Sequence, residues 1–362
     1  MKFKSFLVKF DKYFLYLNIL FAVLLLLSYL SAVISPGVFW PLAFLGLGYS
    51  ILLFINLIFI VYWVIRRRKY VLISTIGILT GYNVLLNSVG FNFFQAAVPA
   101  NHLKLMTYNV HVFKNMEEIP AYRQILKVVN SSQPDIIAFQ EYYTQYSRFA
   151  IRDSLTHLFH SDQFHFVPFK ISPYDSTGLA LYSKYPIVNK GIVRLSDEQN
   201  DNQGIFIDVN YRSRIIRVYC LHLKSLQLDP VESYNLDKAA SGKVIGFSRL
   251  RGILRKLKDA FIVREQQVEI IRRQTSKCPY PYIFMGDFND TPGSYAFNKI
   301  SAGMKNAFRE KGVGIGKTYN GGFASFQIDF ILASPQFSIL NYGIVHKSIS
   351  DHYPVYSDVA LH

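Results

Sequence analysis

The chain has 362 residues, a formal charge of +15 and a hydrophobic fraction of 51%, which is high for a soluble protein. Its two cysteines are too few for a disulfide framework, and no spacing of Cys and His matches a zinc site. Residues 1–101 hold eight Lys/Arg and one Asp, and residues 238–277 hold eleven Lys/Arg and three Asp/Glu, so the remaining residues are neutral overall and form no general nucleic-acid surface.

Three long apolar segments predict transmembrane helices at about residues 14–34, 40–65 and 70–90. Each exceeds the roughly 18 residues that are needed to cross a bilayer, and Trp40, Trp63 and Tyr70 flank them as an interfacial belt. Buried core helices are the alternative, most of all for the third segment, because it contains Asn83 and Asn87. We therefore predict a transmembrane region over residues 1–95.

The distribution of Lys and Arg predicts how these segments are oriented. Four lysines precede the first segment, the turn after it is uncharged, and the cluster 66–69 separates the second segment from the third. Because Lys and Arg in short loops stay on the cytoplasmic side, three crossings put the chain after about residue 95 on the outer side. We expect a multi-pass protein of the cell inner membrane with a periplasmic domain, provided that the third segment crosses.

Three apolar β-runs after residue 102 carry a polar group at or near their ends. The run 104–109 ends in Asn109, the run 134–141 ends in Glu141, and the run 217–223 contains His222. A buried acid or histidine is unfavourable unless it is paired or bound to a metal. For each residue taken alone, a structural role in the core is the alternative.

Residues 247–261 predict a basic amphipathic helix. Leu250, Ile253, Leu254, Leu257 and Phe261 form one apolar stripe, and the opposite face is rich in Arg and Lys. One interpretation is a solvated helix that covers the sheet. The other is an interfacial helix that touches anionic headgroups or an anionic substrate.

The segment 282–292 combines a buried strand with an acid and an amide. If the strand continues past Gly286, its alternation puts Asp287 and Asn289 on one face. An Asx-turn is the alternative, since Asp, Asn and Pro all favour turns. Further on, Asp329 lies in the run 327–332, and the pair Asp351–His352 precedes the run 353–355. So many polar groups beside apolar β-runs in one chain are difficult to explain by structure alone.

With these motifs in this order, the sequence resembles the endonuclease/exonuclease/phosphatase superfamily over residues 102–362. The resemblance implies a four-layer α/β/β/α sandwich of the DNase I type, preceded by the transmembrane region. It also implies a magnesium site, with Mn²⁺ as the alternative ion. By resemblance, Glu141 is the main ligand, Asn109 belongs to the same end of the site, and Asp351 contributes to a second metal position.

The resemblance assigns the remaining residues to the hydrolytic step. Asp287 orients or deprotonates the attacking water, and Asn289 hydrogen-bonds the scissile phosphate. Asp329 holds and polarises His352, while His222 lies near the leaving group, as in DNase-like and sphingomyelinase-like members. The chemistry agrees with this assignment, because phosphoester hydrolysis needs a hard cation, a general base and groups that stabilise negative charge.

The sequence therefore predicts a membrane-anchored, metal-dependent phosphoester hydrolase. Its expected partners are membrane lipids and a phosphoester substrate, either a lipid headgroup or another extracytoplasmic phosphoester. A nuclease for DNA or RNA is the alternative, and a catalytically inactive, membrane-tethered binding module is an alternative of another class. No protein partner can be inferred. Residues 168–176 and 312–324 are expected to form loops that set specificity.

Overall fold

The N-terminal part of the chain is helical. A computed structural model describes residues 2–93, 97–115, 117, 119–145, 151–195, 203–226, 246–321 and 326–362. Its first helices are α1 (Lys2–Leu30), α2 (Pro36–Phe39), α3 (Pro41–Leu47), α4 (Tyr49–Ile65), α5 (Val71–Thr80) and α6 (Tyr82–Ser88). Within these described ranges, one helix, Lys9–Leu30, is long and apolar enough to cross a membrane. The number rises to three if α3–α4 and α5–α6, bent by 62° and 77°, are each one span.

The two bends differ from the continuous segments expected at 40–65 and 70–90. Gly48 separates α3 from α4, and Gly81 separates α5 from α6. Glycine is a poor helix former, which favours a break at either position. At Gly81 a Cβ atom would lie 2.0 Å from Cζ of Tyr29, so the packing of this ring against the break requires glycine.

A buried polar network joins helices α1, α4 and α5. Asn18 donates through Nδ2 to Ser74 Oγ at 2.6 Å, and its Oδ1 accepts from Trp63 Nε1 at 2.9 Å. Ser74 in turn donates to Asn56 Oδ1 at 2.8 Å. Because polar groups in an apolar setting need partners, this network fixes how the three helices pack against each other.

The rest of the chain builds two sheets with helices on their outer faces. The elements are β1 (Val89–Phe91), β2 (Leu103–Asn109), α7 (Tyr122–Ser132), β3 (Ile136–Gln145), α8 (Ile151–Phe159), β4 (Phe164–Ile171), β5 (Asp175–Ser183), β6 (Ile187–Val193), β7 (Gln203–Tyr211), β8 (Arg214–His222), α9 (Phe247–Thr275), β9 (Tyr282–Asp287), α10 (Tyr295–Ser301), β10 (Lys305–Asn306), α11 (Ala307–Lys311), β11 (Val313–Ile315), β12 (Asp329–Ala333), β13 (Phe337–Ile344) and β14 (Val355–Leu361). One six-stranded sheet has the order β10-β12-β9-β8-β7-β6, and the other has the order β13-β14-β2-β3-β5-β4.

Alternation along the strands separates three layers of apolar side chains. Leu105 and Val218 belong to the core between the two sheets. Met106 points to the opposite face, where it packs with residues of α7 and α8. Leu221 lies on the outer face of the other sheet, against α9 and α10. The expected four-layer α/β/β/α sandwich is thereby confirmed.

Strand direction brings the polar ends together. β2 pairs in parallel with β3, and β8 pairs in parallel with β9, one such pair in each sheet. The carboxyl ends of parallel strands lie at the same edge of a sheet, so Asn109 and the residues after Gln140 meet at one edge. His222 is directly opposite Asp287, which is also opposite Asp329.

Two segments expected to be specificity loops are strands over part of their length. Residues 168–171 belong to β4, which pairs with β5, so only the hairpin turn 172–174 is loop. Val313–Ile315 forms β11, which pairs with β1 at the end of the N-terminal helices. Val313 and Ile315 flank Gly314, and this short apolar stretch forms a strand although the sequence around it is typical of a loop. Residues 316–321 of the second segment stay outside the named strands, and there the centre of the Tyr319 ring lies 5.1 Å from that of His352. Residues 322–325 of the second segment lie outside the described residues.

Candidate active site

Three strands end at the site, and a fourth, β3, passes it with a bulge. Asn109, His222 and Asp287 are the last residues of β2, β8 and β9, and all three are buried. Glu141 follows Gln140 in β3 at a register shift and has a φ of 53°, a left-handed conformation that is uncommon for a non-glycine residue. The bulge directs the carboxylate of Glu141 towards this edge, where 29% of the side chain is exposed.

Asn109 bridges two carboxylates. Its Nδ2 atom donates to Glu141 Oε1 at 3.2 Å and to Asp287 Oδ2 at 3.1 Å. Its Oδ1 atom accepts the backbone N–H of His111 at 3.1 Å. The amide nitrogen of Asn109 therefore links Glu141 of one sheet to Asp287 of the other. Its oxygen accepts from the backbone of His111 and not from either carboxyl group.

His111 is a site residue that the sequence did not reveal. Its Nδ1 atom lies 3.8 Å from Glu141 Oε2 and 3.5 Å from Asp351 Oδ2. Residues 111–113 have φ values of 43°, 48° and 59°, and this left-handed turn brings the imidazole back to the strand end. A histidine two positions after Asn109 was the only sequence signal. His111 therefore lies between Asp351 and Glu141, which places both carboxyl groups at the same end of the site.

Asp329 and His352 form a buried dyad. His352 Nδ1 lies 2.9 Å from Asp329 Oδ2, and His352 Nε2 lies 3.7 Å from Asp287 Oδ2. Burial alone would lower the pKa of His352, but the carboxylates of Asp329, Asp287 and Asp351 outweigh this effect and raise the pKa well above its usual range. His352 is thus held as a cation beside Asp287.

Asp287 is the centre of the arrangement. Burial raises the pKa of its carboxyl group, and the nearby Asp329 acts in the same direction, whereas His352 and His222 oppose the change. His222 Nε2 lies 3.7 Å from Asp287 Oδ2 and 3.9 Å from Glu141 Oε1. The two histidines therefore flank the carboxylate of Asp287, each with Nε2 3.7 Å from Oδ2.

Asn289 does not share a strand face with Asp287. The strand ends at Asp287, Asn289 has a φ of 51°, and its backbone N–H donates to Asp287 Oδ1 at 2.8 Å. This Asx-type contact gives the backbone N–H of Asn289 a local partner in place of a neighbouring strand, and for that reason the strand does not continue. Asn289 also donates through Nδ2 to the carbonyl of Leu223 at 3.1 Å.

A buried ion pair between Arg264 and Asp290 stabilises the turn that follows Asp287. Arg264 of α9 is 2% exposed, and its Nη1 atom lies 2.6 Å from the carbonyl oxygen of Asn289 and 2.8 Å from Asp290 Oδ2. Burial raises the pKa of Asp290, although Arg264 acts against this shift. Sequence analysis missed both residues, since Arg264 belongs to a basic stretch that looks solvated.

The donor set fits a hard divalent cation. Asp287, Asp329 and His352 have ligand atoms within 4.8 Å of one another, but the hydrogen bond between His352 and Asp329 already occupies that cluster. Glu141 and Asp351 are 29% and 23% exposed at the other end of the site. Partly exposed carboxylates suit an ion that keeps part of its water shell, so we favour the Glu141 end.

A model described as the endonuclease/exonuclease/phosphatase family matches residues 106–352, which is more than half of the chain. The chain belongs to the endonuclease/exonuclease/phosphatase family. Members of this family are metal-dependent phosphoester hydrolases, and the chain is an enzyme of this class. A second model, described as a domain of unknown function, matches residues 11–88. No curated protein matches the chain significantly.

Solved structures of the same family share the fold. An endonuclease/exonuclease/phosphatase from Beutenbergia cavernae has 17% sequence identity and a TM-score of 0.54, with 72% of each chain covered. A family protein from Leptotrichia buccalis has 16% identity and a TM-score of 0.51, over 72% of this chain and all of that one. A mannosyl-6-phosphatase from Bacteroides thetaiotaomicron has 15% identity and a TM-score of 0.50, with the same coverage.

Proposed function

We propose that the chain is a membrane-anchored, Mg²⁺-dependent phosphoester hydrolase that acts on an extracytoplasmic phosphoester. The observation that carries this proposal is the meeting of Glu141, His222, Asp287 and the Asp329–His352 dyad at one edge of the two sheets. These groups provide a general base, a cation for the phosphate oxygens and a carboxylate for a metal.

In this proposal Glu141 and Asp351 hold the metal, and Asn109 orients Glu141 through its Nδ2 donor. A divalent ion held there would supply Lewis-acid stabilisation of the phosphate oxygens. Asn109 was expected to be a ligand as well, but its oxygen accepts from His111, which makes a positioning role the better proposal. His111 lies between the two carboxylates, with Nδ1 3.8 Å from Glu141 Oε2 and 3.5 Å from Asp351 Oδ2.

The chain's own residues account for proton movement. Asp287 accepts a proton from the attacking water through Oδ2, and its raised pKa makes it a stronger base than an exposed carboxylate. The cationic His352 donates from Nε2 to a phosphate oxygen, while Asp329 keeps its Nδ1 proton in place. In the same proposal His222 donates to the leaving group, and Asn289 hydrogen-bonds the phosphate through the amide N–H that Leu223 does not accept.

The membrane anchor favours a substrate outside the cytoplasm. Asp11 pairs with Arg66 at 2.8 Å at one end of the helices, and Ser31 donates to the carbonyl of Gly293 at 2.6 Å at the other. Asp11 lies in α1 and Ser31 directly follows it, so the two contacts are about 30 Å apart, which is the thickness of the hydrocarbon core. The chain also returns from Arg68 to the catalytic domain through α5, α6 and β1. This path supports a third crossing.

A substrate panel tests the proposal. The purified full-length chain is assayed with sphingomyelin, phosphatidylinositol, a sugar 6-phosphate, single-stranded DNA, duplex DNA and RNA, each with Mg²⁺ or EDTA. We expect Mg²⁺-dependent release of product from a lipid or another non-nucleic phosphoester. Preferential cleavage of nucleic acid would support the nuclease alternative. Turnover that is unaffected by EDTA would contradict the metal-dependent mechanism.

A further inference from the structure

The first half of α9 exposes two parallel stripes of side chains. Phe247, Leu250 and Leu254 are 80%, 36% and 40% exposed, and they recur at intervals of three and four residues, so they share one side of the helix. Arg251 and Arg255 are also exposed and form a cationic stripe directly beside them. Neither arginine makes an ion pair with a residue that the structure describes.

The buried side of the same helix is fixed to the N-terminal helices. Ile253, Leu257 and Phe261 pack against residues of α3, and the ring of Phe261 meets that of Phe44 edge-on at 5.4 Å. Glu265 accepts hydrogen bonds from the hydroxyl of Ser35 and from the backbone N–H of Gly37, the latter at 2.7 Å. The exposed stripes are therefore held at a constant position relative to the end of the membrane segments.

The neighbouring surface is apolar and of the interfacial type. Val38, Phe39 and Trp40, in and after α2, are 81%, 52% and 41% exposed. The ammonium group of Lys258 lies 5.5 Å from the centre of the Trp40 ring, so the cationic stripe continues into this surface. The helix pair α3–α4 bends by 62° at this level, as expected where a spanning helix turns into the plane of the bilayer.

We propose that the first half of α9, together with α2, binds the headgroup layer of a membrane that contains anionic phospholipid. Phe247, Leu250 and Leu254 enter the boundary between headgroups and acyl chains, and Arg251 and Arg255 contact lipid phosphates. The exposed apolar stripe favours lipid over nucleic acid, which would need the cations but not the apolar side chains. This inference rests on the membrane anchoring in the proposed function and is independent of its chemistry.

An environment-sensitive probe tests the contact. Leu250→Cys is labelled with a nitrobenzoxadiazole dye in the full-length chain carrying Cys278→Ser; Cys220 is fully buried, and burial raises the pKa of its thiol to about 12, so it stays unlabelled. The protein is placed in nanodiscs of phosphatidylcholine, with or without about 30% phosphatidylglycerol. Quenching by acrylamide, a neutral solute, reports the water exposure of the dye. Hydrolysis of bis-p-nitrophenyl phosphate is measured in the same samples.

A charge-reversed variant and a matched control isolate the arginines. The variant is Arg251→Glu/Arg255→Glu, and the control is Arg273→Glu/Lys277→Glu, which changes the same charge at exposed positions near the far end of α9. With phosphatidylglycerol we expect acrylamide quenching to fall at least about two-fold in the parent and the control, but not in the variant. Hydrolysis of the soluble substrate should be similar in all three proteins.

Two results would overturn the inference. One is equal dye exposure in the parent and in Arg251→Glu/Arg255→Glu with anionic lipid. The other is a dye that is shielded equally in nanodiscs with and without phosphatidylglycerol, since anionic lipid would then not be what covers the stripe. Loss of hydrolysis in every sample, with the lipid response intact, would contradict the proposed chemistry and leave the membrane contact supported.

Discussion

His352 lies among three carboxylates, and this environment defines the chemistry at the scale of single residues. Asp329 holds its Nδ1 atom, and Asp287 lies 3.7 Å from its Nε2 atom. Oδ1 of the buried Asp329 has no hydrogen-bond partner among the described residues, so its negative charge is compensated mainly by the imidazolium. His352, the cation, therefore lies next to Asp287, the proposed base, while its orientation is set by Asp329.

Asp287→Asn and His352→Ala should each lower kcat by at least about 10²-fold, because each removes a group with its own role in the hydrolytic step. The measurement is steady-state hydrolysis of bis-p-nitrophenyl phosphate by folded protein. Asp162→Asn, at an exposed position, is the control and should retain full activity. Near-normal rates in both site variants would refute these roles.

Glu141→Gln should raise the Mg²⁺ concentration needed for half-maximal activity by more than it lowers the rate at saturating metal. A carboxamide keeps the shape of the side chain but loses the charge that attracts a hard cation. A metal titration of the initial rate measures both quantities, with Glu310→Gln on α11 as an exposed control. An unchanged midpoint in Glu141→Gln would argue against a ligand role.

At the scale of elements, helix α9 connects the catalytic turn to the N-terminal helices. Its consecutive residues Arg264 and Glu265 point to different partners. Arg264 donates to the carbonyl of Asn289, and Glu265 accepts from Ser35 and Gly37. One helix therefore positions the turn that follows Asp287 and attaches it to the start of α2.

Arg264→Met should destabilise the protein by about 3–5 kcal/mol at neutral pH, because it leaves the Asp290 carboxylate buried without a cation. Since burial raises the folded-state pKa of Asp290, the variant should be most stable at acidic pH and should lose stability as pH rises through this pKa. Thermal unfolding across the pH range measures this. Arg264→Met/Asp290→Asn, which removes both charges, should recover part of the loss. A pH-independent deficit would contradict the account.

The strands that lead into the site could be predicted from the sequence, but the turns that complete it could not. The strands that carry Asn109 and Asp287 were predicted because each contains apolar residues typical of a buried strand, although the end of the second strand was left open. The turn at Asn289 was not assigned, since a local hydrogen bond to Asp287 competes with strand pairing at a position where both outcomes suit the sequence. His111 was missed because its approach to Glu141 depends on three consecutive left-handed residues, which no periodicity signals.

At the scale of the whole molecule, the N-terminal helices and the catalytic domain form a tight junction. A Cβ atom at Gly46 would lie 2.9 Å from the carbonyl oxygen of Gly293, so α3 and the loop after the catalytic turn are in close contact. β1 adds a strand pairing with β11. The sequence predicted one part over residues 1–95 and another over residues 102–362 but not this junction, because contacts between distant small residues leave no local pattern.

A reporter fused after His362 should be active as alkaline phosphatase and silent as a cytoplasmic fluorescent protein. The charge order of the first segments and the path of the chain through α5 and α6 both lead to this outcome. The same fusions placed after Lys69 are the control and should give the opposite result. A fluorescent C-terminal fusion would mean that the third segment does not cross, and an intracellular substrate would become the better proposal.

The most direct test of the central claim is the initial rate of bis-p-nitrophenyl phosphate hydrolysis by the purified full-length chain as Mg²⁺ is titrated from an EDTA-treated sample. We predict no turnover without metal, a saturable rise with Mg²⁺, and no comparable rise in Asp287→Asn. A folded protein that hydrolyses the substrate equally with and without Mg²⁺, or one that shows no hydrolysis at any Mg²⁺ or Mn²⁺ concentration, would contradict the proposed role of the strand-end cluster.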